Sequence, residues 1–296
     1  MDLTDTIDKE FSQLASLADE RIDLAHGALL IARAAYPDLN ESLYLERLDR
    51  MAASVKLDMT ADSEPEDIIT RLNDILFEQE RFRGNRENYY DPDNSFLNRV
   101  LDRKIGIPIT LSLIYIEVAR RLGLDVRGIG LPGHFITALY HASGKIFIDP
   151  FNRGEIRTVD ECLQIVRTYM GNAVAPDLHW LQPIGRKELL VRMLRNLKLI
   201  YARHNNDVML FKTIHWILTL QPEASAELGE RAMLYEAMGN PNRAVKDWER
   251  YITNTGDPKG VSKIRARIEN LKNQQSRIQQ ISGSRGPGFE LTPGRG

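Results

Sequence analysis

A histidine and an aspartate stand beside two short predicted strands and could act together in acid–base chemistry. His134 precedes the apolar residues 135–140, and Asp149 follows residues 145–148. The two-residue alternation of these stretches and the Ser143-Gly144 turn predict an antiparallel pair of strands. A carboxylate beside an imidazole can orient the ring as a general base, or the two side chains can form a buried structural hydrogen bond. Both interpretations stay open at the level of sequence.

Thr110 and Ser112 are hydroxyl side chains near the start of a strongly apolar predicted helix. Pro108 fits the first position of this helix, because a proline there gives up no hydrogen bond. Gly123 fits its end. A hydroxyl nucleophile needs a general base within hydrogen-bond distance, and His134 could provide it. Ser and Thr in a first turn also bond to the backbone, so a capping or packing role remains the alternative.

The chain has a single cysteine, Cys162, and its neighbours argue against a reactive thiol. Asp160 and Glu161 precede it directly, and acidic neighbours raise the pKa of a thiol. We therefore predict a structural, semi-buried cysteine. A single cysteine also excludes an internal disulfide and a cysteine-based zinc cluster, and the histidines elsewhere lack partners at ligand spacing. We expect neither a metal nor another cofactor.

A basic segment lies in the second half of the chain. Residues 186–203 hold six Lys or Arg against one Glu, and Arg192, Arg195 and Lys198 share one helical face. Such a stripe can bind an acidic partner, which makes these three residues candidates for partner binding. It can equally be solvated, or dock on residues 1–80, which carry 19 Asp or Glu against 7 Lys or Arg.

A turn-rich stretch, residues 83–95, precedes the apolar helix and consists mainly of polar residues, Gly and Pro. This composition is typical of a loop that bonds to its own backbone or lines a site. The residues that we predict to line a cleft together with the His134–Asp149 pair are Asn85, Tyr89, Asp91, Asn94 and Ser95.

The hydrophobic pattern divides the chain into four segments. Residues 1–82 show three- and four-residue apolar steps, which predict three or more helices. Residues 83–180 combine a buried helix with short strands, which predicts an α+β core packed with the first segment. Residues 186–272 are helical again. Residues 273–296 are rich in Gln, Ser, Gly, Pro and Arg, and we expect this tail to be disordered.

The third segment contains an internal repeat. A 34-residue frame over residues 191–224 and 225–258 aligns Leu194 with Leu228 and Tyr201 with Tyr235. This period and pattern predict tetratricopeptide-type helices, so the fold class is α+β with an all-α C-terminal region. Repeats of this kind commonly present surfaces for protein binding. The residues that we expect to pack the second copy are Tyr235, Ala244, Trp248 and Tyr251.

The overall composition excludes several classes of protein. Charged residues make up 27% and hydrophobic residues 43%, with a net charge of −2, as in ordinary globular proteins. No apolar run approaches the roughly 20 residues of a membrane span, and the acidic N-terminus does not resemble a signal peptide. The sequence shows no glycine-rich phosphate loop and no nucleic-acid-binding module. We expect a cytoplasmic protein that binds a protein or peptide, and neither nucleic acid nor a membrane.

Six short motifs along the chain carry a family resemblance. They are GN at 84–85, YYDPDNSFLN at 89–98, GIPITLS at 106–112, LPGHF at 131–135, DPFN at 149–152 with Gly154, and RMLRNLK at 192–198. Together they resemble the SirB-type transglutaminase-like proteins over about residues 20–270. The resemblance implies a papain-like transglutaminase fold followed by tetratricopeptide-type helices.

The resemblance also implies the positions of a catalytic triad. In the wider transglutaminase superfamily a cysteine at a helix N-terminus attacks an amide carbonyl, a histidine holds the proton and an aspartate orients the histidine. His134 and Asp149 match the last two positions, whereas the cysteine position, counted from Gly123, falls on Pro108. Two members of the triad are therefore retained, and the nucleophile is absent.

Two functions follow from this pattern. The first is a non-catalytic or weakly catalytic protein that acts as an adaptor through its cleft and its helical repeats, which the missing thiol favours. The second is an amide or peptide hydrolase, or an acyltransferase. It would use His134 and Asp149 with Thr110, Ser112 or a water molecule as the attacking group.

Overall fold

Residues 3–57, 64–142, 144–171, 177–255 and 258–283 are described by a computed structural model of the chain. Packing divides the protein into two units, Met1–Leu220 and Gln221–Gly296. The first unit combines helices with a small sheet and the second is helical, so the predicted α+β class with an all-α C-terminal region is confirmed.

Helices supply most of the first unit. In chain order they are α1 (Leu3–Ser16), α2 (Leu24–Arg33), α3 (Glu41–Lys56), α4 (Pro65–Asn73), α5 (Leu97–Arg103), α6 (Pro108–Arg121), α7 (Val159–Met170), α8 (Arg186–Arg203) and α9 (Asp207–Leu220). Two of the N-terminal helices begin at capping side chains, because Asp23 and Asn40 accept hydrogen bonds from the following backbone N–H groups. Helices α1 to α4 lie within the segment whose apolar steps predict three or more helices.

A four-stranded antiparallel sheet lies in the middle of the first unit. Two short strands, β1 (Arg83–Gly84) and β2 (Ile105–Gly106), pair in parallel ahead of it. The sheet itself has the order β3 (Asp125–Ile129), β4 (Ile136–His141), β5 (Gly144–Asp149) and β6 (Glu155–Arg157). One face packs with Cys162, Leu163 and Val166 of α7. This meander puts the start of β4 and the end of β5 side by side.

Helix α6 is the buried central helix that its apolar pattern predicts. Every residue from Pro108 to Ala119 is buried. Glu117 lies within this stretch, and its carboxylate is paired with Arg120 at 2.9 Å and Arg121 at 2.6 Å, as a buried charge requires. Gly123 ends the helix with a φ of +80°, a conformation that glycine adopts without strain. The buried helix holds its first residue, Pro108, in a fixed place.

Hydrogen bonds join the first residues of α8 to the N-terminal region. The Asp19 carboxylate accepts hydrogen bonds from the backbone N–H of Arg186 and of Lys187, both at 2.8 Å. The Arg186 guanidinium donates to the carbonyls of Glu20 and Ile22. One part of the basic segment therefore docks on the acidic N-terminal region, which was the intramolecular alternative to a solvated or partner-binding stripe.

The boundary of the C-terminal region differs from the sequence expectation. We expected a separate repeat segment from residue 186, but α8 and α9 belong to the first unit. The ring of Trp216 in α9 stacks on Phe11 of α1 at 4.7 Å, and its Nε1 donates to Asp8 at 2.7 Å. Because these helices bury their apolar faces against the N-terminal helices, the unit ends at Leu220.

The second unit consists of α10 (Ser225–Ala237), α11 (Pro241–Asn254) and α12 (Pro258–Gly283). Ala244 and Trp248 are buried in its core, and Tyr235 and Tyr251 pack against it half-buried. The predicted packing residues of the second repeat copy are therefore confirmed.

The tail also differs from the expectation. We predicted disorder from residue 273, but α12 continues to Gly283. The stretch up to Ser282 contains Gln, Arg and Ile and no proline or glycine, so nothing in its chemistry stops a helix. The remaining residues of the predicted tail, 284–296, lie outside the described residues.

Candidate functional site

His134 and Asp149 form a hydrogen-bonded pair at one end of the sheet. His134 Nε2 and Asp149 Oδ2 are 3.0 Å apart, so the predicted proximity is confirmed. The register that pairs Thr137 with Ile148 brings the start of β4 and the end of β5 together. Phe151 packs edge-on against the imidazole at 5.9 Å between ring centroids, which fixes the plane of the ring.

The surroundings of Asp149 keep its carboxylate ionised. Burial of the side chain favours the neutral acid, but hydrogen bonds from His134 and Asn152 and the charge of Arg157 outweigh it and lower the pKa of Asp149. An ionised Asp149 accepts the Nε2 hydrogen of His134, and in this tautomer of the imidazole Nδ1 carries a lone pair. Among the described residues, Nδ1 has no hydrogen-bond partner. His134 therefore offers a hydrogen-bond acceptor, or a base, from a fixed position.

A cleft of about 610 Å³ opens beside this pair. Residues from five parts of the first unit form its walls: Pro108 and Ile109 at the start of α6, His134 before β4, Tyr89 and Tyr90 of the turn-rich loop, Tyr169 of α7, and Arg192 and Arg195 of α8. The walls are thus aromatic and apolar with two guanidinium groups. A pocket of this size and character can bury a side chain and part of the backbone of a peptide.

Pro108 occupies the place in the cleft wall where the family resemblance implies a nucleophile. It lies at the first position of α6 and shares the cleft with His134. Its ring carries no ionisable or nucleophilic atom. The helix start and His134 thus line one cleft, and the position that the resemblance assigns to the nucleophile holds no thiol.

Neither candidate hydroxyl lines the cleft. The Thr110 hydroxyl donates to the carbonyl of Asn94 at 2.8 Å and accepts the backbone N–H of Ile107 at 3.1 Å. The Ser112 hydroxyl lies 3.4 Å from the carbonyl of Phe135, and both side chains are fully buried. They are therefore engaged with backbone groups, as the capping and packing interpretation expects.

Cys162 lies in the core between the sheet and α7 and is fully buried. Burial raises the pKa of its thiol to about 11, with smaller contributions from Asp149 and Glu161. We expected the acidic neighbours to be the cause, whereas loss of solvation is the larger effect. The thiol does not line the cleft.

Of the five loop residues that we expected to line the cleft, the structure places Tyr89 in its wall. The other four lie outside the cleft lining, and three of them bond within the loop or to the helix that follows it. Asn85 donates to Asn94, Asn94 donates to the carbonyl of Asn88, Ser95 is buried, and Asp91 pairs with Arg103. Self-bonding of the loop supports the two tyrosines that face the cleft.

The three basic candidates on α8 have different surroundings. The Arg192 guanidinium donates to the carbonyl of Gly130 at 2.9 Å and to that of Leu131 at 3.4 Å, so it ties α8 to the loop before His134. Arg195 lines the cleft with 39% of its side chain exposed, 3.8 Å from Glu188. Lys198 is half-buried and lies outside the cleft lining.

Several residues of the site were missed by the sequence analysis. Tyr90 and Tyr169 line the cleft. A Cβ on Gly130 would lie 2.5 Å from the Arg192 guanidinium carbon, and one on Gly133, at φ +70°, would lie 2.0 Å from the Tyr169 ring. Two glycines, Gly133 in the LPGHF motif and Gly130 just before it, could have indicated these close contacts from the sequence. A glycine beside a strand often marks the close approach of another group.

The described residues contain no cluster of three His, Cys, Asp or Glu side chains that could hold a metal ion. In the same part of the chain, no helix combines the length and apolar character that crossing a bilayer requires.

Comparison with known families agrees with this fold and site. The family model of the transglutaminase-like superfamily matches residues 42–195, and a tetratricopeptide-repeat model matches residues 197–269. The first match contains the whole sheet, α6 and both members of the His134–Asp149 pair. The chain therefore belongs to the transglutaminase-like superfamily, with tetratricopeptide-type helices after the core.

Similar proteins occur in bacteria and mammals. The UPF0162 protein of Xylella fastidiosa (strain 9a5c) is 35% identical over 274 residues, which cover 90% of this chain and 95% of that protein. The UPF0162 protein YchA of Escherichia coli is 23% identical and covers 87% of this chain and 97% of its own length. F-box only protein 21 of Mus musculus is 31% identical over 183 residues, 58% of this chain but 28% of that protein.

Proposed function

We propose that this protein is a transglutaminase-like pseudoenzyme that serves as an adaptor and binds a segment of a partner protein in the His134 cleft. The tetratricopeptide-type helices supply a further surface for protein contact, as repeats of this class commonly do. Within the superfamily we propose a SirB-type protein, on the motifs that carry that resemblance. We also propose that it acts in the cytoplasm.

The observation that carries this proposal is the presence of Pro108 in the wall of an open cleft that retains the His134–Asp149 pair. Covalent chemistry in this superfamily needs a thiolate at the helix start. Cys162 cannot supply it, since it is buried in the core and its thiol pKa is raised to about 11. Thr110 and Ser112 are engaged with backbone groups. A cleft without an attacking side chain remains suited to binding.

A second function is favoured by the geometry of His134. Its Nδ1 is without a partner among the described residues while Asp149 fixes Nε2, so the ring could activate a water molecule against an amide bond. In this alternative the protein is an amide or peptide hydrolase with His134 as base and Asp149 as the orienting residue.

Site-specific photocrosslinking tests the adaptor function. A benzophenone amino acid replaces Leu199, which lines the cleft with 45% of its surface exposed. A control protein carries it at Leu57, which is 84% exposed and lies outside the cleft lining. After irradiation in native lysate, we expect discrete adducts from the Leu199 position alone. Equal adduct patterns at the two positions would contradict a binding role for the cleft.

The hydrolase alternative is tested on the same preparations. Release of amine from amide and peptide substrates, and amine incorporation into a glutamine-containing protein, are compared for wild type and His134→Gln. We expect no turnover by either protein. Turnover that disappears in His134→Gln, while circular dichroism shows an intact fold, would establish the alternative and overturn the pseudoenzyme.

A further inference from the structure

The basic side chains of α8 fall into two groups according to what they contact. Arg186 and Lys187, at its first turn, bond to carbonyls of the N-terminal region. Arg192 bonds to the carbonyls of Gly130 and Leu131. Arg195, one turn further along, lines the cleft. The basic side chains at the start of this helix therefore contact the rest of the fold, and Arg192 and Arg195 bring positive charge to the cleft.

The cleft has a net positive lining. Its charged lining residues are Glu188, Arg192 and Arg195, which together give one net positive charge. The two guanidiniums share one carboxylate, since the Glu188 Oε1 lies 3.4 Å from Arg192 Nε and 3.8 Å from Arg195 Nη1. Arg195 keeps 39% of its side chain exposed beside this carboxylate, so a ligand carboxylate can reach its guanidinium from solvent.

The rim of the cleft is apolar and exposed. Tyr90 is 44% exposed, Tyr169 68% and Leu199 45%, and all three line the cleft. Exposed apolar side chains grouped at one cleft mark an interaction site more often than scattered single residues do. Aromatic rings beside an arginine suit a segment in which apolar side chains flank a charged one.

His134 adds a requirement for a hydrogen-bond donor. In the tautomer whose Nε2 hydrogen Asp149 accepts, Nδ1 is a hydrogen-bond acceptor. A peptide backbone meets this requirement through its N–H groups, whereas an isolated carboxylate or phosphate offers no donor. The combined lining therefore favours an extended peptide over a small anion.

We propose that the cleft selects a peptide segment in which an acidic side chain stands between apolar residues, and that Arg195 binds the acidic side chain. The proposal rests on the proposed binding function and names the chemistry of its ligand. Arg192 is a positioning residue in this scheme, because its guanidinium holds the loop that carries His134. Arg195 is the residue that determines specificity.

Degenerate heptapeptide pools test the selectivity with the full-length protein. Each pool is acetylated and amidated, carries Leu, Tyr or Gly at its flanking positions and has Glu, Gln or Lys fixed at its centre. Capture by immobilised protein is quantified by mass spectrometry. We expect the Glu pool to be retained at least about fivefold over the Gln pool, as a charge-assisted hydrogen bond implies, and the Lys pool least.

Two variants assign the selectivity to Arg195. Arg195→Gln should bring retention of the Glu pool to that of the Gln pool, with an unchanged unfolding midpoint. Arg265→Gln removes the same charge from an exposed position of α12 and should keep the preference. Loss of the preference in both variants, or retention in both, overturns the role of Arg195.

A third variant separates failure of this inference from failure of the binding function. Tyr90→Ala removes an exposed apolar wall residue and should lower retention of the Glu and Gln pools alike. If wild type retains both pools equally and Tyr90→Ala loses both, the cleft binds peptides and the acidic selectivity is wrong. If wild type retains no pool above Tyr90→Ala, both the selectivity and peptide binding by the cleft are overturned.

Discussion

Replacing Pro108 with cysteine should create a reactive thiol, because the rest of the activating arrangement is retained. The new side chain would stand at the first position of α6, in the wall that it shares with His134. The positive end of the helix and the neighbouring imidazole both favour a thiolate. The proline contributes little to helix stability beyond its pre-set φ, so the fold should survive the change.

The size of the effect follows from the ionisation of the thiol. A free cysteine with a pKa near 8.5 is about 3% thiolate at pH 7, whereas one with a pKa near 7 is about half ionised. We therefore expect the alkylation rate of Pro108→Cys to rise with a midpoint at or below about pH 7.5, the upper end of the range of activated thiols.

The assay is the rate of iodoacetamide labelling as a function of pH. The wild-type protein should not be labelled under these conditions, because its one cysteine, Cys162, is buried with its pKa raised to about 11. The double variant Pro108→Cys with His134→Gln should move the midpoint upward, since the ion pair with the imidazole is lost.

A midpoint at or above about pH 8.5 in Pro108→Cys would refute the reasoning. It would mean that the helix start and His134 do not face the new thiol. An unchanged midpoint in the double variant would remove His134 from the arrangement, while leaving the contribution of the helix intact.

Three further predictions concern stability. Trp248→Ala should cost about 3–5 kcal/mol in urea unfolding, because the ring is 4% exposed; a loss under about 1 kcal/mol would contradict its place in the core. Arg231→Ala removes the guanidinium that bonds both oxygens of buried Asp247 at 2.7 and 2.8 Å and should cost about 3–5 kcal/mol, whereas Arg265→Ala at an exposed position should be near neutral. The hydrogen bond to Glu41 raises the pKa of His26 against the opposing effect of burial. The His26–Glu41 pair therefore contributes its full stabilisation of the fold below the unfolded pKa of about 6.5, and this stabilisation is lost as the pH rises through the folded pKa. His26→Gln should therefore lower the melting temperature at pH 6 more than at pH 8, and an equal loss at both would exclude this origin.

The elements that local pattern specifies were predictable from the sequence. The apolar run after Pro108 predicts the buried helix α6, since a helix without a polar face has to be enclosed on all sides. The alternation around residues 135–148 predicts the strands that bring His134 and Asp149 together. In each case the information lies in residues a few positions apart, which is the range over which hydrophobic periodicity acts.

Tertiary packing decided which polar residues face the cleft. Asn85, Asp91, Asn94 and Ser95 are of the same types as many site residues, yet they lie outside the cleft lining while Tyr89 forms part of it. A polar side chain in a turn can satisfy itself on a nearby backbone group or on a ligand. The choice depends on where the rest of the chain passes, which the loop sequence does not contain.

The same distinction applies to the basic helix and to the unit boundary. The sequence by itself determined the helical spacing of Arg192, Arg195 and Lys198 and the period of the repeat. Only the tertiary structure decided that Arg192 binds two loop carbonyls, that Arg195 lines the cleft, and that the first repeat helices pack with the N-terminal helices. Periodicity specifies which side chains share a helix face, but the partner of that face is set by long-range burial of apolar surface.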